Sequence, residues 1–399
     1  SNSNNKDEQK DSSLLQSLLK ETLGRTVDSK KSFIQNGGDS ISAIRLINKL
    51  KKEGLNLTVQ DLFENTPLSD LKSNHFVSVI EKDYLTEFKK EIGVVDSQVY
   101  FPLSEAQKGI LMDCLRNDDK SIYMEILDYE IPASYSIEQI SKAYELVCRN
   151  NPILLSNLER VNGEYVFKVG SGFSKVKEID VSLLSSFGET LQTNGMDIFG
   201  SLSEFYVINC GDTHRISWVH HHLILDGWSL GVFSKLMMDA LKGMKLSYSD
   251  RFIRFLCQSH LERKTSNYWQ KVGHLKQLES LIPDLPERNV SSSYIKRSVI
   301  IKFDNQDIIR DWNLSEHSFT LGLWTAFNSL LFGKKEYCIG NVVSLRSTED
   351  YETLGMYVRT LPFHDKFRED VTVETHLKHV FELLQKDHAH MGEPLNDYV

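Results

Sequence analysis

The chain has 399 residues, enough for two or three domains that each bury a core, and its 40 % hydrophobic and 25 % charged content is ordinary for a globular protein. Its net charge of −9, from 46 Lys+Arg against 55 Asp+Glu, lacks the cationic footprint that nucleic-acid phosphates require, so no nucleic-acid partner is expected. No run approaches the roughly 18 uninterrupted apolar residues of a membrane span, and Cys114, Cys148, Cys210, Cys257 and Cys338 are far apart with no CxxC, as for reduced thiols in a cytoplasmic protein.

Residues 1–12 are almost wholly polar and are expected to be disordered. "SLLQSLLKETL" then repeats Leu at helical spacing, and "SISAIRLINKLKKEG" places Ile41, Ile44, Ile47 and Leu50 near one face before Gly54. "TVQDLFENTPLSDLKSNHF" predicts two short helical pieces broken at Pro67. Residues 12–80 therefore predict a small all-α four-helix unit, with a partly helical linker over 81–98. From residue 99 the texture changes. Strand-like stretches such as "YMEILDYEI", "EYVFKV", "SEFYVINC" and "HRISWVHHH" alternate with amphipathic helices, among them "SLGVFSKLMMDALKG", with Ser229 as expected N-cap and Gly243 as stop. This predicts a mixed α/β body of two lobes, 99–270 and 271–399.

Two stretches carry candidate chemistry. In "FIQNGGDSISAI", Ser40 follows two glycines at the start of an amphipathic helix. An N-cap serine after a tight turn explains it; so does a hydroxyl exposed at a positive helix end that favours an attached phosphate. In "HRISWVHHHLILDGWSL", strand alternation would put Ile216, Trp218, His220 and His222 on one face and Ser217, Val219 and His221 on the other. Adjacent His221 and His222 then cannot chelate one metal, and no HExxH or CxxC supplies further ligands, so no metal is expected. One of the two histidines should be locked in packing while the other meets a cavity.

"GGDSI", following a leucine-rich helix and followed by "LTVQDLFENTPLSDL", resembles a peptidyl carrier protein of nonribosomal peptide synthetases over residues 12–78. The resemblance implies a 4′-phosphopantetheine arm on Ser40; an aspartate before that serine is often seen where an epimerisation domain follows. "HHLILDGWS" resembles the HHxxxDG signature of the condensation-domain superfamily, which shares its fold with chloramphenicol acetyltransferase. "PLSEAQKGIL", "RNNPILLSNL", "SNYWQKV", "GNVVSLRS", "LGMYVRTLPF" and "HAHMGEPL" resemble its other motifs in order, across residues 99–399. Leu155 and Arg359 depart from the motifs, standing where arginine and asparagine are usual, and the sequence stops earlier than the family's usual end.

The resemblance implies a carrier–condensation didomain, an acyltransferase that joins a thioester on the Ser40 arm to an acceptor amine. His222 would point into a tunnel between two lobes, as general base or as positioner of the amine. Gly227 would let backbone approach the reacting centre and offer its N–H as an oxyanion donor. Asp226 would be structural with Arg346 as its partner cation, and His221 would serve packing and hydrogen bonding. The partners implied are an adenylation domain, a downstream acceptor carrier and a phosphopantetheinyl transferase. The alternatives are an epimerisation domain, whose HHxxxDxxSWR is not matched by "DGWSLG", an ester-forming or free-amine release domain, and a non-catalytic recruitment platform.

Overall fold

The structure is a computed structural model and describes residues 4–38, 40–52, 55–57, 59–63, 66–71, 74–75, 83–170, 172, 175–263, 268–269, 306–393 and 395. The chain folds into two compact units, one of Ser1–Val79, Ser266–Val343 and Thr360–Val399, the other of Ile80–Thr265 and Ser344–Arg359.

The first unit begins with α1 (Asn4–Leu23), α2 (Ser40–Lys52), β1 (Leu55–Asn56), α3 (Val59–Phe63) and β2 (Asn74–His75). Helix α1 starts at Asn4, so residues 4–12 of the polar run expected to be disordered form its first turns, while residues 1–3 lie outside the described residues; Lys, Glu and Gln in those turns are good helix formers. The two pieces expected around Pro67 are α3 and one 3₁₀ turn, Leu68–Asp70, while β1 and β2 add a two-residue antiparallel ladder with no signal in the sequence. Leu15, Leu19, Phe33, Leu46, Ile47, Leu50 and Leu62 form the core of this segment; the side chains of Ile41 and Ile44 lie outside the described residues.

The second unit opens with α4 (Tyr84–Glu91). It lies in the stretch expected as a linker, yet its Phe88 is buried in the main core. Then come β3 (Tyr100–Pro102), α5 (Glu105–Arg116), β4 (Met124–Pro132), α6 (Ile137–Asn150), β5 (Ser156–Val161), β6 (Glu164–Val169), β7 (Lys177–Ile179), α7 (Leu184–Asn194), β8 (Ser203–Asn209), β9 (Thr213–His221), α8 (Gly227–Leu241) and α9 (Arg251–Leu261). The strands make a three-stranded sheet, β3-β6-β5, and a four-stranded sheet, β4-β9-β8-β7. Ile140, Ala143, Tyr144 and Val147 recur at helical spacing, and α6 buries that face.

Strand β9 is covered on both faces, which is why it reads as nearly continuous apolar sequence. Ile216 and Trp218 enter one hydrophobic cluster while Val219 enters a second with Phe187 and Leu191. Trp218 stacks on Phe233 of α8 with ring centroids 3.4 Å apart, and its Nε1–H donates to Ser203 Oγ at 2.9 Å. Each such fully buried aromatic contributes about 2–3 kcal/mol of transfer free energy, and the satisfied indole N–H removes the usual penalty for burying it.

The first unit resumes with Tyr268 and Trp269, then α10 (Gln306–Asp311), α11 (Glu316–Phe332), β10 (Glu336–Ser344), β11 (Val358–Lys366) and α12 (Val373–Ala389). Helix α11 is bounded by a Ser315 capping box and left-handed Gly333. Gly322 lets α12 approach, since a Cβ there would lie 2.5 Å from Leu377. Phe63 of α3 stacks on His388 of α12 at 5.7 Å. Between β10 and β11 the chain supplies Ser344–Arg359 to the second unit, and with it Arg346. Among the described residues no helix is long and apolar enough to cross a membrane.

Candidate active site

The ladder between β4 and β9 ends at the pair Met124↔His221. His222 has therefore left the strand, and alternation does not place it with His220. His220 and His221 are fully buried and His222 is half-buried. The backbone N–H of His222 donates to Tyr123 O at 2.8 Å and that of Ile224 to His221 O at 3.1 Å. His221 Nδ1 accepts from Leu223 N at 3.1 Å, so the neutral ring carries its proton on Nε2, which faces Cys114 Sγ at 3.7 Å. His222 has the opposite tautomer. Its Nδ1 lies 2.6 Å from the carbonyl of Leu225; a carbonyl only accepts, so Nδ1 holds a hydrogen, and in the neutral ring Nε2 is the nitrogen that carries the lone pair.

Burial, then the neighbouring imidazoles, push the His220 ring down to about 3; burial and His222 push His221 down to about 4. Both rings are neutral at pH 7. Because the folded-state values are depressed, the unfolded chain takes up protons the fold refuses once pH drops below about 6.5. Stability is fully present above that pH and falls towards pH 4, by about 1.4 kcal/mol per pH unit for each such proton. Among the described residues neither nitrogen of His220 has a hydrogen-bond partner, and Glu125 Oε2 at 3.7 Å is too far for one. His220→Phe should therefore match the parent in melting temperature at pH 8 and lose less of it between pH 6.5 and 4.5. Parallel curves would contradict this.

Asp226 and Arg346 meet 2.8 Å apart with side chains 0 % and 3 % exposed. Asp226 is the N-cap of α8: its Oδ1 accepts from Ser229 N at 3.0 Å and Ser229 Oγ at 2.8 Å, and its Oδ2 from Tyr357 N at 3.0 Å. Ser229, expected as the cap, lies inside the first turn, where a carboxylate three residues earlier takes that place. Arg346 also donates to the carbonyls of Asp350, Thr353 and Gly355 and to Ser229 Oγ, with its guanidinium 4.4 Å over the Tyr357 ring. The carboxylate thus fastens the start of α8 to the 344–359 segment. The carbonyl partners are illegible in sequence because backbone acceptors carry no residue signature.

Gly227 is the exposed first residue of α8, and a Cβ there would meet no atom of the described residues within 4 Å. Its N–H belongs to the first turn, whose donors lack intrahelical acceptors. Leu155 ends the 3₁₀ turn Pro152–Leu155, and Arg359 is buried with Glu105 opposing the effect of burial on its guanidinium. His221, His222, Asp226, Gly227 and Arg346 thus belong to one unit, Ser40 to the other.

Ser40 is the first residue of α2, whereas its side chain and Asp39 lie outside the described residues. The turn before it is firmly built. Gly37 is left-handed at φ +79°, and a Cβ on Gly38 would run into the Phe33 ring at 2.2 Å. Asn36 ties the turn to Asp28, accepting from its N–H at 2.8 Å and donating to its carbonyl at 3.0 Å. A serine opening a 13-residue helix on such a turn fits a phosphate ester, because the helix end favours negative charge.

Residues 97–399 match the condensation domain family, and residues 13–73 match the phosphopantetheine attachment site family. Peramine synthetase ppzA of Metarhizium majus is 22 % identical over 386 residues, covering 89 % of this chain and 14 % of the relative. Nonribosomal peptide synthetase 6 of Alternaria brassicicola is 22 % identical over 414 residues, covering 95 % and 28 %. The chain therefore spans under a third of the length of these relatives. The condensation domain from the Monacolin K polyketide synthase MokA superposes with a TM-score of 0.62 at 18 % identity over 76 % of each chain. The epimerization domain from the third module of tyrocidine synthetase B gives 0.58 at 11 % identity, over 72 % of this chain and 74 % of that one. At such identities the likeness shows a shared fold.

Proposed function

Because this chain belongs to the condensation-domain family, with a phosphopantetheine-attachment domain ahead of it, we propose that it forms an amide between a carrier-bound acyl thioester and an acceptor amine. The observation that carries the reading is the His222 ring, held by Nδ1 on Leu225 O in the turn between β9 and α8, which leaves Nε2 of the neutral ring as a proton acceptor.

In this reading Ser40 holds the phosphopantetheine arm, which supplies the donor acyl group as a thioester. An α-amino group titrates near ~7.7, so much of the acceptor is already free base at neutral pH. Nitrogen bonds to the acyl carbon, the carbon–sulfur bond breaks, and His222 Nε2 takes the proton the amine sheds and returns it to the departing thiolate. Gly227 N–H is the donor proposed for the developing oxyanion. Asp226 and Arg346 hold the α8 end in place and do not exchange protons. An adenylation domain would load the arm, a phosphopantetheinyl transferase would install it, and a downstream carrier would bring the amine.

Two outcomes test this reading. Incubated with coenzyme A and a phosphopantetheinyl transferase, the parent should gain one arm by intact mass and Ser40→Ala none; an arm on the alanine variant removes Ser40 from its role. In heavy water a loaded aminoacyl group should keep its α-hydrogen. Deuterium exchange at that carbon would favour epimerisation.

A further inference from the structure

We propose that Gln107 is a positioning residue for the catalytic turn: its buried amide holds the carbonyl of Leu223 and so sets the tautomer and aim of His222. The inference rests on the reading of His222 as the acting base.

Gln107 comes from α5, far from the histidines in sequence, and is fully buried. Both ends of its amide are used. Oε1 accepts from the backbone N–H of Ser104 at 2.7 Å, within the capping box that starts α5, and Nε2 donates to Leu223 O at 2.6 Å. One partner can only donate and the other only accept, so the amide has a single orientation. Leu223 is the residue between His222 and the turn that returns to Leu225. Its N–H is held by His221 Nδ1 and its carbonyl by Gln107, while Tyr123 O holds the N–H of His222.

Tyr123 gives that carbonyl from a left-handed backbone, φ +59°, a conformation a bulky residue adopts only when its surroundings impose it. The turn is thus gripped from α5 on one side and from the start of β4 on the other. With both groups of Leu223 occupied, the following peptide planes cannot rotate, and Leu225 O stays where Nδ1–H of His222 meets it. Without the Gln107 donor the Leu223 carbonyl is buried unpaired, and the turn must shift to relieve it.

Gln107→Glu and Gln107→Met separate this role from helix capping. The glutamate keeps the length and the acceptor towards Ser104, but its carboxylate faces the Leu223 carbonyl with a second acceptor. Protonation restores the donor. The methionine never supplies one. The measurement is ¹⁵N-histidine NMR of the His222 tautomer, beside single-turnover amide formation at pH 8 and pH 6 in the full chain.

At pH 8 both variants should mix the His222 tautomers and form amide about ten- to a hundredfold more slowly than the parent, with the acceptor KM unchanged. At pH 6 Gln107→Glu should move back towards the parent in both readouts, while Gln107→Met should not. Ser104→Ala, which leaves the bond to Leu223 O in place, should keep the parental tautomer. Variants with the parental tautomer and parental rates would overturn the proposal, as would slower variants in which the tautomer is unmoved. A parent that forms no amide, yet whose tautomer shifts in the variants, would sink the condensation reading and leave the positioning role standing.

Discussion

His222→Ala is expected to fold like the parent and to lose about 10²–10⁴-fold of its amide-forming turnover. The ring is half-buried, and among the described residues its side-chain hydrogen bond goes to Leu225 O. Removing it costs roughly 1 kcal/mol, a change of a few degrees at most in melting temperature for a domain of this size. The rate falls because the neighbouring imidazole cannot replace Nε2: His221 is buried with Nδ1 occupied by Leu223 N and its proton on the opposite nitrogen. His222→Asn refines the test, since its amide can donate to Leu225 O without offering a base. If the asparagine restores the rate, His222 holds the turn and the amine rather than the proton. An alanine variant that melts early at unimpaired turnover would reverse its role.

Asp226→Ala should fail in stability, by about 3–5 kcal/mol. Substitution leaves the Arg346 guanidinium, 3 % exposed, without its counter-charge, and takes the acceptor from Ser229 N, Ser229 Oγ and Tyr357 N. Loss of the N-cap alone is worth about 1 kcal/mol. Together these predict a melting temperature lower by on the order of ten degrees, or insoluble protein. Replacing Arg346 by methionine as well should recover part of the loss by removing the stranded charge. Recovery is partial because the carbonyls of Asp350, Thr353 and Gly355 then lose their donor. Thermal unfolding of the parent, both single variants and the double variant gives the coupling directly. Strictly additive effects would mean the ion pair does not hold the start of α8.

What residue order makes legible is mainly what repeats or what a motif spells. β4, β6, β8 and β9 stand where alternation and apolar runs place them. The pairing of Asp226 with Arg346 follows from one physical demand, that a buried carboxylate needs a cation. Alternation fails where the element ends: it carries His222 one residue past β9, and the end of a ladder is set by pairing with β4, which is a long-range property. Residue type alone makes Ser229 a cap, but capping depends on backbone conformation, and Asp226 has the extended one. Gln107 lies within a motif whose letters give it no role, because its partner is a backbone carbonyl more than a hundred positions away.

The central claim is that the acyl group leaves the chain's own arm for an amine. The direct measurement is intact mass of this protein and of a second carrier, after one turnover with the acyl group loaded on the Ser40 arm and an aminoacyl group on the second carrier. The acyl mass should disappear from this chain and appear on the second carrier, stable to hydroxylamine at the new linkage as an amide is, and His222→Ala should hold the acyl mass on the Ser40 arm. Acyl mass that stays on the arm of the parent with the amine present, or that moves equally fast in His222→Ala, would contradict it.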